Sequence, residues 1–538
     1  FGGDYSMTKF RNYFIIFASV FAITATCAMQ DVKAQDSMSD LIKRIEALES
    51  KPAAGGNVTA GKIRGLKIGL NLRHRYELRS EGFNGGSQAA VTQAAGTNVR
   101  TLGAMNTTLT TGTTRAHATR KPTQDFTLQR MRLSFDMDIN KNVMARVMFQ
   151  DVRTFGEAGI TTNEERTDVQ EGYVQLRNLG DINPLLSNVQ LRIGRWQQGY
   201  GNHRVIGTLG WANQSRSYDG AKIMYKKGNF NVDVFAWQIA ENTTGGVSGS
   251  DSTFSQASGK DTVLYGFYAK YKFGGFLKGN VIEPYMVVRA EETQEDRTNA
   301  TQAAESETRY TWGFRAAGKN IAGLGGLDYT IEPNLQTGSS RYTPFGMSQN
   351  ENSKENISAW AIHAEAGYTF KNLPWTPRIG YAYSFASGDD SFDTGSQKTY
   401  KQVSPTQHAH NGYMDITSWQ NIIDHQLHIN LKPTKKLVVD VKAHFFELDQ
   451  EADNWWHVGG AVANRAGADK FIDNNGTSQD VDDELGQEID VTLKYKMFEN
   501  FGVVAGYSHF FSGDFIEDTG GGVDRGVDWF YLQTTVKF

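Results

Sequence analysis

Arginine recurs at two-residue spacing in the first half of the sequence, often with acids nearby. Arg73 and Arg75 form one such pair, and Arg130 and Arg132 form another. Side chains two residues apart lie on the same face of a β-strand, and the planar guanidinium group binds carboxylates and phosphates through paired hydrogen bonds. Rows of arginines around a common interior favour anionic solutes there. Alternation predicts this placement for Arg73, Arg75, Arg130, Arg132, Asp136, Arg146, Glu171 and Arg192.

The same residues also fit a purely structural interpretation. In that alternative, each arginine pairs with an acid of a neighbouring strand and only rigidifies a solvated surface. Such exposed ion pairs contribute little to stability. For any single arginine this alternative is the simpler one. The set as a whole favours a bias toward anions.

Motifs for catalysis and metal binding are weak. The sequence contains no G-x-S-x-G, H-E-x-x-H or Walker motif. Histidines at 408, 410, 425 and 428 lie close together in sequence and are interpreted as loop residues. The segments GDDSFDTG and DNNGTSQDVDDE carry oxygen ligands suited to Ca²⁺, but neither has EF-hand spacing, so solvated acidic loops are the simpler interpretation. We therefore predict no catalytic residue, no metal site and no cofactor.

Composition narrows the class of protein. The formal charge of the 538 residues is −4, so no basic excess points to a nucleic-acid partner. The chain has 56 glycines, 12% aromatic residues and only 10 prolines. With a mean hydropathy of −0.48, this composition favours many β-strands joined by polar turns.

The N-terminal residues 1–34 are predicted to be six upstream residues followed by a secretory signal peptide. Lys9 and Arg11 precede the apolar stretch NYFIIFASVFAITATCAM, and small residues lead to a cleavage site after Ala34. A retained membrane anchor is the alternative, and a lipoprotein site at Cys27 lacks the usual leucine. Cleavage after Ala34 removes the single cysteine, which excludes disulfides and thiolate chemistry from the mature chain.

Residues 35–64 contain a short heptad segment and a Gly/Ala linker. Met38, Leu41, Ile45 and Leu48 have the spacing of a coiled-coil seam, but the seam is under two heptads long. Two interpretations stay open: a homo-oligomer contact supported by a larger body, or a frayed surface helix.

Residues 65–538 are predicted to form an outer-membrane β-barrel of about 18 strands. Stretches of about ten residues such as RMRLSFDMDI alternate apolar and polar, and their connections are alternately short and long. The last residues, FYLQTTVKF, alternate in the same way and end on Phe538, a mark by which barrel assembly machinery recognises its clients. An apolar strand face that meets lipid and lipopolysaccharide explains this ending. A barrel of this width encloses a water channel or a lumen plugged by loops.

The sequence resembles the alginate-export family of outer-membrane porins. The resemblance rests on DFTLQRMRLSFDMD, on LRIGRWQQGYGNHRVIGTLGWANQSRSYDG, on YMDITSWQNIIDHQLHINLKPTKKL and on YSHFFSGDFI, and it extends from about Leu66 to Phe538. It implies a monomeric 18-stranded barrel whose arginine-rich constriction, flanked by acids, passes an anionic uronate polymer in the founding member. At YGNHR, Asn202 and His203 replace the Asp and Gln of the family pattern.

The resemblance also extends the list of candidate site residues. Arg130 and Arg132 become wall arginines beside the constriction, Arg192, Arg195 and Arg204 become candidates from the fifth strand and its loop, and Arg216 and Asp219 open the next strand. The predicted function is a channel for anionic solutes or an exported polysaccharide. A general diffusion porin is the first alternative. A barrel enzyme built on His408, His410, His444 and Asp415, and a structural barrel with a closed lumen, are the others.

Overall fold

The structure, a computed structural model, covers the barrel strands and part of their connections. The described residues are 64–79, 91–93, 99–102, 124–156, 165–239, 261–292, 306–319, 325–340, 355–390, 396–456, 458–460, 462–465, 470–472, 478–516, 518 and 526–538. The predicted signal peptide and heptad segment lie outside them.

Eighteen strands of the described residues form one closed antiparallel barrel, as the alternation predicted. They are β1 (Arg64–Arg79), β2 (Gln124–Asp138), β3 (Val143–Phe155), β4 (Glu165–Leu176), β5 (Val189–Trp196), β6 (Tyr218–Lys227), β7 (Phe230–Ile239), β8 (Asp261–Lys272), β9 (Asn280–Glu292), β10 (Ser306–Lys319), β11 (Leu327–Ser340), β12 (Glu355–Thr369), β13 (Arg378–Ala386), β14 (Ile422–Leu431), β15 (Leu437–Glu447), β16 (Glu484–Lys496), β17 (Phe501–Ser512) and β18 (Val527–Lys537). Each strand pairs with the next. Pairing of β18 with β1, in a register from Asn71–Lys537 to Arg79–Trp529, closes the barrel.

The connections sort by length onto the two ends of the barrel. At the end where the chain enters β1, they run from two residues at 228–229 to 12 residues at 177–188. At the opposite end they include 197–217, 387–421 and 448–483. In outer-membrane barrels the short turns face the periplasm and the long loops face outward, so this sorting orients the chain in the membrane.

Helical structure in the described residues is confined to single turns. They are Leu179–Asp181, Pro184–Leu186, Gly275–Leu277, Gln407–Ala409 and Asp514–Ile516. None of these described helices is long and apolar enough to span a membrane.

The two faces of each strand meet different surroundings. Outward side chains are large and apolar, and Val234, Ile379 and Leu427 are each at least 50% exposed. Inward side chains are mostly polar and buried, and His363 and Glu488 are at most 2% exposed. Side chains that alternate between lipid and a polar interior give this pattern.

The C-terminal strand shows the same division. Phe530, Leu532 and Phe538 point outward and are 38%, 43% and 68% exposed, whereas Trp529 and Tyr531 are buried on the lumen side. The apolar face predicted for the last strand is therefore confirmed, and in the membrane it meets lipid.

A buried carboxylate joins the first and last strands. Glu77 of β1 accepts hydrogen bonds from Arg75 Nε at 2.7 Å, from Arg79 Nη2 at 2.8 Å and from Trp529 Nε1 of β18 at 3.1 Å. Its side chain is 1% exposed. Removal of one partner from a buried ion pair leaves an uncompensated charge. The contact between β1 and β18 that closes the barrel therefore depends on this carboxylate.

We predict that Glu77→Ala lowers the free energy of unfolding by about 3–5 kcal/mol, because two guanidinium groups then lose their acceptor. Glu77→Gln keeps an acceptor oxygen and costs less. Urea unfolding of the refolded protein, followed by tryptophan fluorescence, measures both. Asp181→Ala is the control, since the Lys141–Asp181 pair lies on an exposed turn with side chains 73% and 46% exposed. Equal losses for Glu77→Ala and Asp181→Ala would contradict the prediction.

Candidate functional site

Two outer loops fold back into the barrel and pair with each other. The β5–β6 loop (197–217) and the β13–β14 loop (387–421) meet where Ser404 N donates to Val205 O at 3.0 Å. Ile206 and Ser404 form a parallel β-bridge.

We call the paired segments 203–209 and 404–406 the partition. Two further backbone hydrogen bonds hold it together, one from Gly207 N to Ser404 O at 2.8 Å and one from Thr406 N to His203 O at 2.9 Å. Its central residues are buried, with Ile206 1% exposed. The backbone of the partition therefore occupies a part of the lumen that the side chains of the strands do not fill.

Two predicted arginines hold the β5–β6 loop against the wall of β1 and β2. Arg73 Nη1 donates to Gly210 O at 3.0 Å, and Arg130 Nη1 donates to Gly210 O at 3.2 Å and to Ala212 O at 3.3 Å. Arg73 is 4% exposed and Arg130 is 7% exposed. Loop carbonyls need partners once they are buried, and these guanidinium groups supply them.

The neighbouring arginines of the same two strands contact the loop further along. Arg75 Nη1 donates to Trp211 O at 2.9 Å. Arg132 donates to Ser215 Oγ at 2.8 Å and to Gln150 Oε1 at 2.7 Å. All four arginines of β1 and β2 that the sequence placed on the lumen face thus bind the β5–β6 loop.

A stack of planar groups reaches from β1 to β15 through both loops. The Arg75 guanidinium lies 3.8 Å from the Trp211 ring centre, and the Trp211 and His408 rings are parallel at 4.0 Å. His408 stacks on Tyr413 at 4.9 Å, and Lys442 Nζ lies 4.8 Å from the Tyr413 ring. Cation–π contacts at the two ends attach the stack to both walls.

Three candidates of β2, β3 and β4 form a charge network on the lumen face. Arg146 Nη1 lies 2.7 Å from Asp136 Oδ2, and Arg146 Nε lies 2.6 Å from Glu171 Oε2. The arginine and Asp136 side chains are 25% and 30% exposed. One cation shared between two acids leaves this section of the wall with negative charge.

Arg192 of β5 differs from the arginines above. Its Nη2 donates to Gln175 Oε1 at 2.6 Å, and its guanidinium lies 4.2 Å from the Tyr173 ring centre. Among the described residues, no carboxylate lies within ion-pair distance of it. Arg192 is therefore a lumen cation whose charge the wall does not neutralise locally.

Arg195 and Asp219 lie on the opposite strand face, which corrects the expectation that both line the lumen. In the register of β5 with β6, Arg195 opposes Asp219, two residues beyond Ile193. The Arg195 Nε–Asp219 Oδ1 distance is 2.8 Å, and the side chains are 34% and 40% exposed. Side chains alternate along a strand, so Arg192 and Arg195, three residues apart, cannot both face inward.

Arg204 lies in the partition itself. It is 3% exposed, and its guanidinium lies 5.0 Å from the Trp419 ring centre. His410 Nε2 is 2.9 Å from Asn202 O. The asparagine of the YGNHR segment thus contacts the β13–β14 loop through its backbone carbonyl. Burial lowers the pKa of Arg204 from its ordinary value, and burial together with the nearby Arg204 charge lowers the pKa of His410 well below its usual range.

Three further arginines bind the β13–β14 loop, and two of them, Arg289 and Arg309, were not named from the sequence. Arg289 Nη1 donates to Val403 O at 2.7 Å and Arg309 Nη1 donates to Thr399 O at 3.1 Å. Arg216 Nη1 donates to Pro405 O at 3.0 Å. No sequence signal marked their role. Every residue has a backbone carbonyl, so the sequence does not show which carbonyl accepts a hydrogen bond from an arginine.

The histidines considered for a barrel enzyme have structural partners. His408 Nδ1 lies 3.1 Å from Asp415 Oδ2, but both faces of the His408 ring are stacked. His444 Nδ1 lies 3.1 Å from Asp424 Oδ2, and both of these side chains are at most 2% exposed. Among the described residues, no group of three or more His, Cys, Asp or Glu side chains could hold a metal ion.

A cavity of about 400 Å³ opens at the periplasmic ends of β10 to β14. Four cationic side chains and one acid line it: Lys319, Lys371, Arg378, Lys432 and Asp328. Arg378 Nη2 lies 2.6 Å from Asp328 Oδ1. The three lysines leave the cavity with a net positive charge.

Comparison with known proteins agrees with this architecture. The alginate-export family profile matches residues 95–526. The chain belongs to the alginate-export family. A search of curated proteins found no match.

The solved structures that resemble this family member are outer-membrane barrels. Pseudomonas aeruginosa OccK2 (OpdF), solved in complex with glucuronate, is 10% identical with a TM-score of 0.51, over 88% of this chain and 98% of that chain. OccK8 (OprE) of the same organism is 13% identical with a TM-score of 0.49, over 89% and 99%. At these identities the likeness shows the fold alone. Family and fold together make the protein an outer-membrane channel of a Gram-negative-type bacterium, as predicted.

We predict that the double variant Arg73→Gln, Arg130→Gln raises single-channel conductance and makes it fluctuate, because Gly210 O and Ala212 O lose their charged donors. Planar-bilayer recordings of the refolded protein measure both quantities. Arg153→Gln is the control, since that guanidinium pairs with Asp151 at 2.8 Å and is 46% exposed. Conductance identical to that of the parent protein would show that these arginines do not hold the loop.

A buried hydrogen-bonded contact joins the β13–β14 loop to the β15–β16 loop. Asp453 accepts hydrogen bonds from Thr399 Oγ1 at 2.6 Å and from Asp389 N at 3.1 Å. It is fully buried, and burial raises its pKa to about 7. A carboxyl group whose pKa is raised on folding binds its proton more tightly in the folded loops than in the unfolded chain.

The stabilisation that Asp453 provides is therefore complete below its unfolded pKa near 4 and is lost as the pH rises through about 7. We predict that limited proteolysis within 387–421 and 448–483 accelerates as the pH rises from about 4 to about 7 and changes little above pH 7. Asp453→Asn keeps the acceptor oxygen and should remove most of this pH dependence. An unchanged pH profile in Asp453→Asn would rule out this group as the cause.

Proposed function

We propose that this outer-membrane channel passes polar solutes with a preference for anions, including carboxylated polysaccharide. It does so by passive diffusion past the partition, without a catalytic step. The cations that set the preference are those in the lumen that the wall leaves without a carboxylate partner. The arginines of β1 and β2 hold the constriction in place.

The observation that carries the proposal is the charge of the periplasmic cavity. Three lysines and one arginine face a single aspartate there. A ring of cationic side chains lowers the barrier to anions and raises it to cations. The cavity lies at the end of the barrel where the turns are short, which is the periplasmic end. A solute that leaves the cell therefore reaches this cavity before it reaches the partition.

Arg192 supports the same preference deeper in the lumen. Its guanidinium is fixed by Gln175 and the Tyr173 ring rather than by an acid. A fixed planar fork can make two parallel hydrogen bonds to a carboxylate. An anion that passes the cavity therefore meets a second cationic contact.

Some lumen charges act in the opposite direction. Asp136 and Glu171 share Arg146, and Lys222 Nζ pairs with Asp233 at 2.9 Å. Acids beside unpaired cations keep anion binding weak enough for release, which a conducting pore requires. The mixture favours selectivity without tight binding.

We predict that Arg192→Gln and the double variant Lys371→Gln, Lys432→Gln each lower the anion-to-cation permeability ratio. One charge at about 4 Å in water is worth about 1 kcal/mol, so the expected loss is about five-fold for each charge removed. The measurement is the reversal potential in a planar bilayer under a KCl gradient. Added polyuronate should reduce the current of the parent protein more than that of the variants.

Lys141→Gln is the matched control, because this lysine lies on a periplasmic turn, is 73% exposed and already pairs with Asp181. A parent channel with no ion preference and no response to polyuronate would favour a general diffusion porin. Absence of any conductance would favour a lumen closed by its loops. Recognition of Phe538 by barrel assembly machinery, contact with lipopolysaccharide and oligomerisation through residues 35–64 stay predictions.

A further inference from the structure

A second cavity lies on the outer side of the partition and has no role in the function proposed above. Its volume is about 220 Å³. The side chains that matter for its chemistry are three cations and two amides: Arg216, Arg289, Lys401, Gln402 and Gln420. Gly459 and Gly460 of the β15–β16 loop cover one side.

The two glutamines present unused hydrogen-bonding groups. Gln402 N donates to Gln420 Oε1 at 3.2 Å, and Gln402 Nε2 donates to Val458 O at 2.9 Å. This arrangement leaves Gln402 Oε1 and Gln420 Nε2 without a protein partner among the described residues. The residues are 5% and 1% exposed. Buried polar atoms almost always have a partner, so an unpaired acceptor and an unpaired donor on two residues that line the same cavity indicate a ligand.

The charges around the cavity are positive in sum. Glu291 lies 2.5 Å from Arg289 Nη2 and 3.3 Å from Lys401 Nζ. Lys401 Nζ also lies 3.5 Å from Glu307, which pairs with Arg309 Nε at 2.8 Å, so Arg289, Lys401 and Arg309 share two carboxylates. Arg216 directs Nη1 to Ser404 Oγ at 2.9 Å and has no carboxylate within ion-pair distance among the described residues. The cavity therefore combines an excess of positive charge with neutral amide groups, which suits a ligand that carries a carboxylate and hydroxyls.

Gly460 packs closely against both amides, which leaves no room for a side chain at this position. A Cβ atom there would lie 2.8 Å from Gln402 Nε2 and 2.9 Å from Gln420 Oε1. The backbone φ of Gly460 is 79°, a conformation that other residues adopt only under strain. The position thus accepts glycine alone, both for the close approach of the two amides and for its backbone conformation.

We infer that this cavity binds one small sugar acid, the size of a single ring, and that the bound molecule stabilises the partition. The volume is below the range of about 300–1,000 Å³ typical of larger ligands, which limits the occupant to one ring. The carboxylate faces the cations, and the hydroxyls complete the hydrogen bonds of Gln402 and Gln420.

Binding is coupled to the partition because the two share a segment. Residues 402–405 line the cavity, and Ser404 within them pairs with Val205 across the partition. A ligand that binds only the paired arrangement stabilises it by RT ln(1 + [L]/Kd), which grows with the ligand concentration. The outer cavity is then a regulatory site through which an external sugar acid keeps the constriction closed, which goes beyond ion preference in the channel.

Isothermal titration of the refolded full-length protein in detergent with D-glucuronate tests the binding. We expect saturable binding, at least ten-fold weaker in Lys401→Gln and in Gln420→Leu, and at least ten-fold weaker for neutral glucose than for glucuronate. Thr262→Phe fills the cavity from β8 and should abolish binding while it leaves the cationic and amide groups in place, since Thr262 lines the cavity and is 7% exposed. Heat-modifiability on electrophoresis shows whether each variant is folded.

The coupling is tested by adding glucuronate to the outer side of a bilayer. We expect lower single-channel conductance at saturating ligand, with no such effect in Thr262→Phe. Absence of saturable binding would overturn the inference. So would binding that survives Thr262→Phe and Lys401→Gln but is lost in Lys371→Gln, because the site would then be the periplasmic cavity. Ion preference is measured separately by reversal potential, so its failure and the failure of this inference are distinguishable.

Discussion

Hydrogen bonds from buried lumen arginines to loop carbonyls are the interaction on which the interior of this barrel depends. An 18-stranded wall satisfies its own backbone groups by closure, but it encloses more space than its side chains fill. Loops that enter this space bring backbone carbonyls that have no strand partner. Arg73, Arg130 and Arg289 supply charged donors to those carbonyls, so loop and wall become one structure.

This use of arginine divides the lumen cations into two groups. Those that bind loop carbonyls or acids fix the shape of the passage and of the cavities beside it. Those without such partners, with Arg192 as the example, remain available to an anion. The number of arginines in the lumen is therefore a poor measure of selectivity, and their hydrogen-bond partners decide it.

The fold could be predicted from the sequence to a large extent. Alternation along RMRLSFDMDI and FYLQTTVKF identified strand faces, and the sorting of connections into short and long identified an outer-membrane barrel, because lipid on one side and water on the other impose both patterns. The candidate site was less predictable. Arg195 was assigned to the lumen through its motif, although its distance of three residues from Arg192 places it on the outward face. The contacts of Arg216, Arg289 and Arg309 left no trace in the sequence.

The sequence by itself determined the barrel, its orientation, its family and the presence of many inward arginines, because each of these depends on a local period or a contiguous motif. Only the tertiary structure decided what the arginines do. The pairing of Val205 with Ser404 joins residues almost 200 positions apart, and the stack from Arg75 through Trp211 and His408 joins three distant segments. Such contacts depend on where the closed wall brings its loops together, and no local pattern records that position.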